Sequence, residues 1–236
     1  MESCQENNRY DLICSLGGSC AAAHNLLVRD LRPAAYPFDW TYFMSDEAIY
    51  QLAEGFRTRF EKYMLKENLV ELPINPSHPD RIQLEDSWGK MIWANQFYYG
   101  SDFDSTFKKV KKTFDKRFKR LLDQVESSKR VLFVICTAYN VKREAVKFLS
   151  DTLQELYPDK EFQIKSISFD CKNEEHLIQD NIEFFCYTRK LNVYDFGNTN
   201  FEWEFMDRLK LTKKKRNKIK LKLFGYKVNI GWSRGK

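Results

Sequence analysis

Long apolar runs are missing from this chain. No uninterrupted stretch approaches the roughly 18 residues that a membrane-spanning helix needs, which argues against a helical membrane protein. The opening residues, MESCQENNRYD, are polar and lack the apolar stretch of a secretory signal peptide. A cytoplasmic protein is therefore expected. Cysteine is sparse: the six residues at 4, 14, 20, 136, 171 and 186 include no CxxC pair and no zinc-like spacing. That excludes the common zinc-binding modules, and no metal or cofactor is expected. In a reducing compartment the six read as free thiols. Histidine is rarer still, with only His24, His78 and His176. Any chemistry that needs an imidazole must use one of these three. There is no internal repeat and no recognisable nucleic-acid-binding motif, so no specific nucleic-acid partner is expected. Acidic residues are absent from Arg208 to Lys236.

That last absence divides the chain. Residues 208–236 hold 12 of the 39 Lys and Arg, leaving 27 basic against 33 acidic residues in 1–207. A mildly acidic body thus carries a strongly basic C-terminal extension. Such asymmetry suits attraction to a polyanionic surface, with anionic membrane headgroups as the favoured partner of 208–236. With 236 residues, 43% of them hydrophobic, the chain can build one large core. The expected organisation is an α/β domain over 1–207 and a basic tail over 208–236.

Strand and helix patterns alternate along the body. Tyr10 to Leu16 reads as a buried strand ended by Gly17 and Gly18, and "SCAAAHNLLVRDL" follows as a helix that Ser19 can cap. "PAAYPFDWTYFM" reads as an aromatic loop. Asp46 to Tyr63 has Ile49, Leu52, Phe56, Phe60 and Tyr63 at helical spacing. "ELPINPSHPD" holds three of the six prolines and must be irregular, and "IQLEDSWGKMIWANQFYYG" alternates as strands do. Asp104 to Ser127 carries an apolar stripe of Phe107, Val110, Phe114, Phe118, Leu121 and Val125 beside a lysine-rich face. "RVLFVICTA" is apolar throughout, as in a strand buried on both faces. A helix in "REAVKFLSDTLQELY", strands in "EFQIKSISF" and "IEFFCYTRKLNVYDF", and a short helix in "NFEWEFMDRLKL" complete the body. The predicted fold is α/β, a largely parallel sheet flanked by helices. The alternating "IKLKLFGYKVNI" of the tail suits a hairpin or edge strand.

The chemistry-bearing residues gather near the start. A strand followed by G-G-S-C and a helix sets Cys20 in the first helical turn. There the helix dipole lowers a thiol pKa, and the Gly17, Gly18 and Ser19 backbone can meet an anion. Cys20 is either such a reactive thiol or a buried cysteine beside a tight corner. His24 follows four residues later, on the same helical face, where it could take the thiol proton. His78 lies in a rigid proline loop, and His176, in "NEEHL", reads as solvated. Asp39, wedged between Phe38 and Trp40, needs a partner if part-buried. It either orients a histidine, or caps a helix and pairs with Arg32.

The succession of "SLGGSC" and "RPAAYPFDW" resembles a bacterial domain family of unknown function described as papain-like cysteine peptidases. The matching features are the strand ending at Ser15–Cys20, the Pro37–Trp40 loop, the basic "FDKRFKRLL" helix and the "VLFVI" strand, across about residues 10–150. The resemblance implies a cytoplasmic cysteine hydrolase or acyl transferase with Cys20 as nucleophile and Asp39 as orienting group. Members tend to carry an F-x-H-D-F-like segment before the basic helix. Here that region is "QFYYGSDF", without histidine, which leaves His24 or His78 as base, or no peptidase activity. The tail "KLFGYKVNI" is similar to short basic tails on bacterial enzymes of surface-polysaccharide assembly. A second reading follows from it: a glycan-assembly enzyme or accessory protein at the inner membrane surface. In that reading Gly17 and Gly18 cradle a phosphate or sugar, and no thiol attacks.

Overall fold

The structure is a computed structural model and describes residues 8–191, 201–212, 219–223 and 226–230. Cys4, the end of the strand pattern near Phe196 and residues 213–218, 224–225 and 231–236 of the basic tail fall outside the described residues.

The central sheet has five strands: β2 (Leu12–Gly17), β7 (Arg130–Thr137), β8 (Glu161–Ser168), β10 (Ile182–Cys186) and β9 (Glu175–Gln179), side by side in that order. β2, β7, β8 and β10 run parallel, and only the edge strand β9 is antiparallel. The pattern follows from sequence. "LICSLG" and "RVLFVICT" are buried on both faces, so they carry apolar side chains at nearly every position. Helix α4 (Arg143–Leu156) makes the crossover from β7 to β8.

Each face of the sheet has its own core. Leu12, Cys14, Leu16, Val131, Phe133 and Ile135 pack beneath α2 (Glu47–Arg57), α3 (Phe103–Ser127) and α4. Ile13, Leu132, Val134 and Cys136 pack on the opposite face, against α1 (Cys20–Val28) and Trp203 and Met206 of a 3₁₀ helix over Phe201–Arg208. The alternation of side chains across a strand divides the two sets. Strand β11 (Lys210–Leu211) pairs in parallel with β1 (Arg9–Tyr10) and ties this segment to the body.

The parallel sheet is joined by a second, antiparallel one that the sequence pattern did not separate. It contains β3 (Thr41–Phe43), β6 (Met91–Tyr98), β5 (Arg81–Asp86) and β4 (Leu69–Glu71) in that order. β3 arises inside the segment expected to be all loop. Helix α2 also stops short of the expected Tyr63. The chain turns at Arg59 and Phe60, which have positive φ, and the Phe60 amide donates to the Gly55 carbonyl at 2.7 Å. Gly55 has no side chain, so the Phe60 ring lies across it. Phe60 and Tyr63 still reach the core, now through a turn, and join Phe38 and Phe118 in an aromatic cluster with centroids 5.0–5.8 Å apart.

In the tail, β12 (Ile219–Leu223) and β13 (Tyr226–Ile230) form an antiparallel hairpin in which Lys222 pairs with Lys227. Among the described residues no helix is long and apolar enough to cross a membrane.

Candidate functional site

The glycine pair closes β2 by close packing. Gly17 and Gly18 have φ of +96° and +88°, where side chains are strained. A Cβ on Gly17 would collide with Thr41 Oγ1 and press on the Phe43 ring, and one on Gly18 would collide with the Cys136 carbonyl. The groups that crowd the corner therefore belong to the chain itself: the Pro37–Trp40 turn on one side and the end of β7 on the other. The Phe43 amide completes the join by donating to the Gly18 carbonyl at 3.4 Å.

Ser19 caps α1 as expected, its hydroxyl accepting the Ala21 amide at 3.1 Å. The same hydroxyl faces the Cys136 thiol at 3.5 Å. Cys20 is the first residue of α1 and only 2% exposed. Its Sγ lies 3.2 Å from the Tyr42 hydroxyl, at the middle of β3. The expectation of a lowered thiol pKa is reversed. Burial pushes the Cys20 thiol up, and the Tyr42 hydroxyl and the residue's own backbone amide recover only part of the shift. The thiol is protonated at neutral pH. Tyr42 is the residue that sequence reasoning missed. It sits two positions past Trp40 in the quoted loop, and only the pairing of β3 with β6 turns it toward Cys20.

Asp39 takes the Arg32 partner. Arg32 Nη1 donates to Asp39 Oδ2 at 2.6 Å, the Tyr36 amide donates to the same oxygen at 2.8 Å, and the carboxylate is fully buried. The Arg32 guanidinium also lies over the Trp40 ring, 5.9 Å from its centroid. Arg120, from α3, donates to the Ala35 carbonyl at 2.6 Å. Burial lifts the Asp39 carboxyl to about 6, outweighing Arg32, the Tyr36 amide and Arg117. The "RPAAYPFDW" segment is thus a buried clamp that fixes the loop leading into β3, and through it Tyr42. A second buried clamp went unnoticed in sequence: Asp86 accepts amides from Met64, Trp88 and Gly89 at 2.9–3.1 Å.

The two candidate bases are placed differently. His24 lies on α1 one turn beyond Cys20. His78 lies in the loop between β4 and β5, its carbonyl accepting the Arg81 amide at 3.1 Å. Arg81 pairs with Tyr98, whereas β3 pairs with Met91–Trp93 at the other end of β6. The fold therefore brings Cys20 and Tyr42 together near the end of β2, carries His24 one helical turn further along α1, and sets His78 at the far end of the antiparallel sheet. His176 lies on β9, stacked on Phe185 and 2.8 Å from Glu183.

An α/β protein with a cysteine at a strand-to-helix corner is the class that this geometry defines. The family model "Putative papain-like cysteine peptidase (DUF1796)" matches residues 11–173. The match spans more than half of the chain, and the protein belongs to this family. No curated protein and no solved structure matches the chain.

Proposed function

We propose that the protein is a cysteine-dependent acyl-transfer hydrolase whose nucleophile is Cys20, with His24 as general base and Tyr42 holding the thiol. Membership in a family described as cysteine peptidases supports the reaction class. The observation that carries the assignment is the placement of Cys20 Sγ at the start of α1, 3.2 Å from Tyr42 Oη. A sulfur there sits at the positive end of the helix, where negative charge that develops on substrate oxygen is stabilised.

The resting thiol is neutral, so attack requires removal of its proton. Residues four apart on a helix have Cβ atoms about 5–6 Å apart, and this spacing supports His24 as the base. The sulfur bonds to the acyl carbon, His24 takes the thiol proton and returns it to the leaving group, and water then hydrolyses the thioester. Asp39 acts at a distance, since its clamp fixes the loop that carries Tyr42.

The test is to incubate the protein with an activated acyl donor, such as a p-nitrophenyl ester, and to trap the acyl group for peptide mass mapping. The expected result is a thioester on Cys20 that turns over, and that is absent in Cys20→Ser. Acylation spread over exposed lysines and other thiols, with Cys20 unmodified, would overturn the assignment.

A further inference from the structure

A pair of thiols lies outside this site. Cys186 ends β10, and Cys171 follows the end of β8 by three residues. The ladder between the two strands continues past both ends. The Tyr187 amide donates to the Ser168 carbonyl at 2.8 Å, the Cys171 amide to the Tyr187 carbonyl at 3.0 Å, and the Asp170 amide to the Arg189 carbonyl at 2.9 Å. These bonds pin residues 170–171 against 186–189. Cys171 and Cys186 thus stand on neighbouring chain segments at one end of the sheet. Cys171 is buried, whereas Cys186 is partly open. Cys186 lines a cavity of about 260 Å³ with Asn140, Val141, Arg143, Ser168 and Phe184.

We propose that Cys171 and Cys186 are a peroxide-reactive pair that closes to a reversible disulfide. Cys186 reacts first because the cavity exposes it. Its sulfur bonds to one peroxide oxygen, the O–O bond breaks, and water leaves, giving a sulfenic acid. Cys171 then attacks that sulfur, the S–O bond breaks, and the Cys171 proton leaves with the departing oxygen as a second water. Two thiols and one hydrogen peroxide thus give one disulfide and two waters. Burial and the neighbouring Cys186 thiol hold Cys171 protonated at rest. The pinned backbones hold the two residues side by side, as a short cross-link requires.

The test treats the full chain with hydrogen peroxide, blocks the remaining thiols and digests with trypsin. Cleavage at Lys165, Lys172 and Arg189 separates the two cysteines onto neighbouring peptides, 166–172 and 173–189. The expected product is these two peptides joined, two hydrogens lighter than their sum and separated by dithiothreitol. In Cys171→Ser, Cys186 should instead be trapped by dimedone as the sulfenic acid. Dimedone-labelled Cys186 in the wild-type protein without the joined peptides, or Cys186 linked to another cysteine, would overturn the proposal.

Discussion

Arg32 and Asp39 form a buried ion pair, 2.6 Å between Nη1 and Oδ2, that closes the loop between α1 and β3 upon itself. Asp39 also accepts the Tyr36 amide. Asp39→Ala removes both contacts and leaves a guanidinium that is only 10% exposed without its carboxylate. Breaking one side of a buried pair costs about 3–5 kcal/mol. Urea unfolding of Asp39→Ala should show a loss of that order, and a loss below about 1 kcal/mol would contradict the clamp.

The same carboxyl makes stability depend on pH, with a sign opposite to that of a typical ion-paired aspartate. Burial lifts Asp39 from 3.8 to about 6, above its unfolded value. The folded chain therefore binds more protons than the unfolded chain between those two values. The stabilisation is complete below about pH 4 and is lost as pH rises through about 6. Asp39→Asn, which cannot titrate, should lack this component. Melting temperatures of the two proteins across pH 4–7 should converge or cross as the pH rises, and a wild-type advantage that grows with pH would refute the shift.

Gly17 and Gly18 predict a ranking of alanine substitutions. Both have positive φ, which costs about 1–3 kcal/mol in a non-glycine residue. At Gly18 the added methyl also meets the Cys136 backbone carbonyl, which cannot move without distorting β7. At Gly17 the nearest atom is the Thr41 hydroxyl, a side-chain atom that can yield at the cost of its hydrogen bond to the Phe38 carbonyl. Gly100 also has positive φ, yet nothing lies within 4 Å of its Cβ position. Chemical denaturation should therefore order the losses as Gly18→Ala, then Gly17→Ala, then Gly100→Ala. A Gly100→Ala loss equal to that of Gly18→Ala would show that crowding plays no part.

Much of this was legible in the sequence where one physical rule acted alone. The unbroken apolar run of β7 announced a strand buried on both faces, and Ser19 announced the start of α1. The stripe on α3 marked its core face, with Phe114, Phe118, Leu121 and Val125 buried as spaced. The misreadings fall where long-range packing overrides local pattern. Phe60 and Tyr63 keep helical spacing but reach the core through a turn that Gly55 permits. β3 exists because β6 pairs with it, a partner fifty residues away in sequence. The same cause hid the neighbour of Cys20. The thiol and its place at the helix start were legible, whereas Tyr42 and the burial that protonates the thiol depend on tertiary contacts.

Tyr42→Phe tests that neighbour directly. The Tyr42 hydroxyl lowers the Cys20 pKa against burial, so its removal should raise the pKa further. Wild-type Cys20 should react with iodoacetamide more slowly than a free cysteine at pH 7. In Tyr42→Phe the rate should fall again, and the midpoint of its pH profile should move upward. Peptide mapping separates Cys20 from the other thiols. An unchanged profile in Tyr42→Phe would remove Tyr42 from the site.

His24 and His78 give the sharpest contrast, because the sequence left both open as the base and the fold places them differently. His24 is one helical turn from Cys20, while His78 lies on the loop that enters β5, at the end of the antiparallel sheet away from β3. His24→Ala should abolish Cys20 acylation, because a neutral thiol then has no base, and losing general-base help costs about 10²–10⁴-fold in rate. His78→Ala should acylate at the wild-type rate. Equal rates for His24→Ala and the wild-type protein would exclude His24 as the base, and a loss confined to His78→Ala would require the β4–β5 loop to reach Cys20.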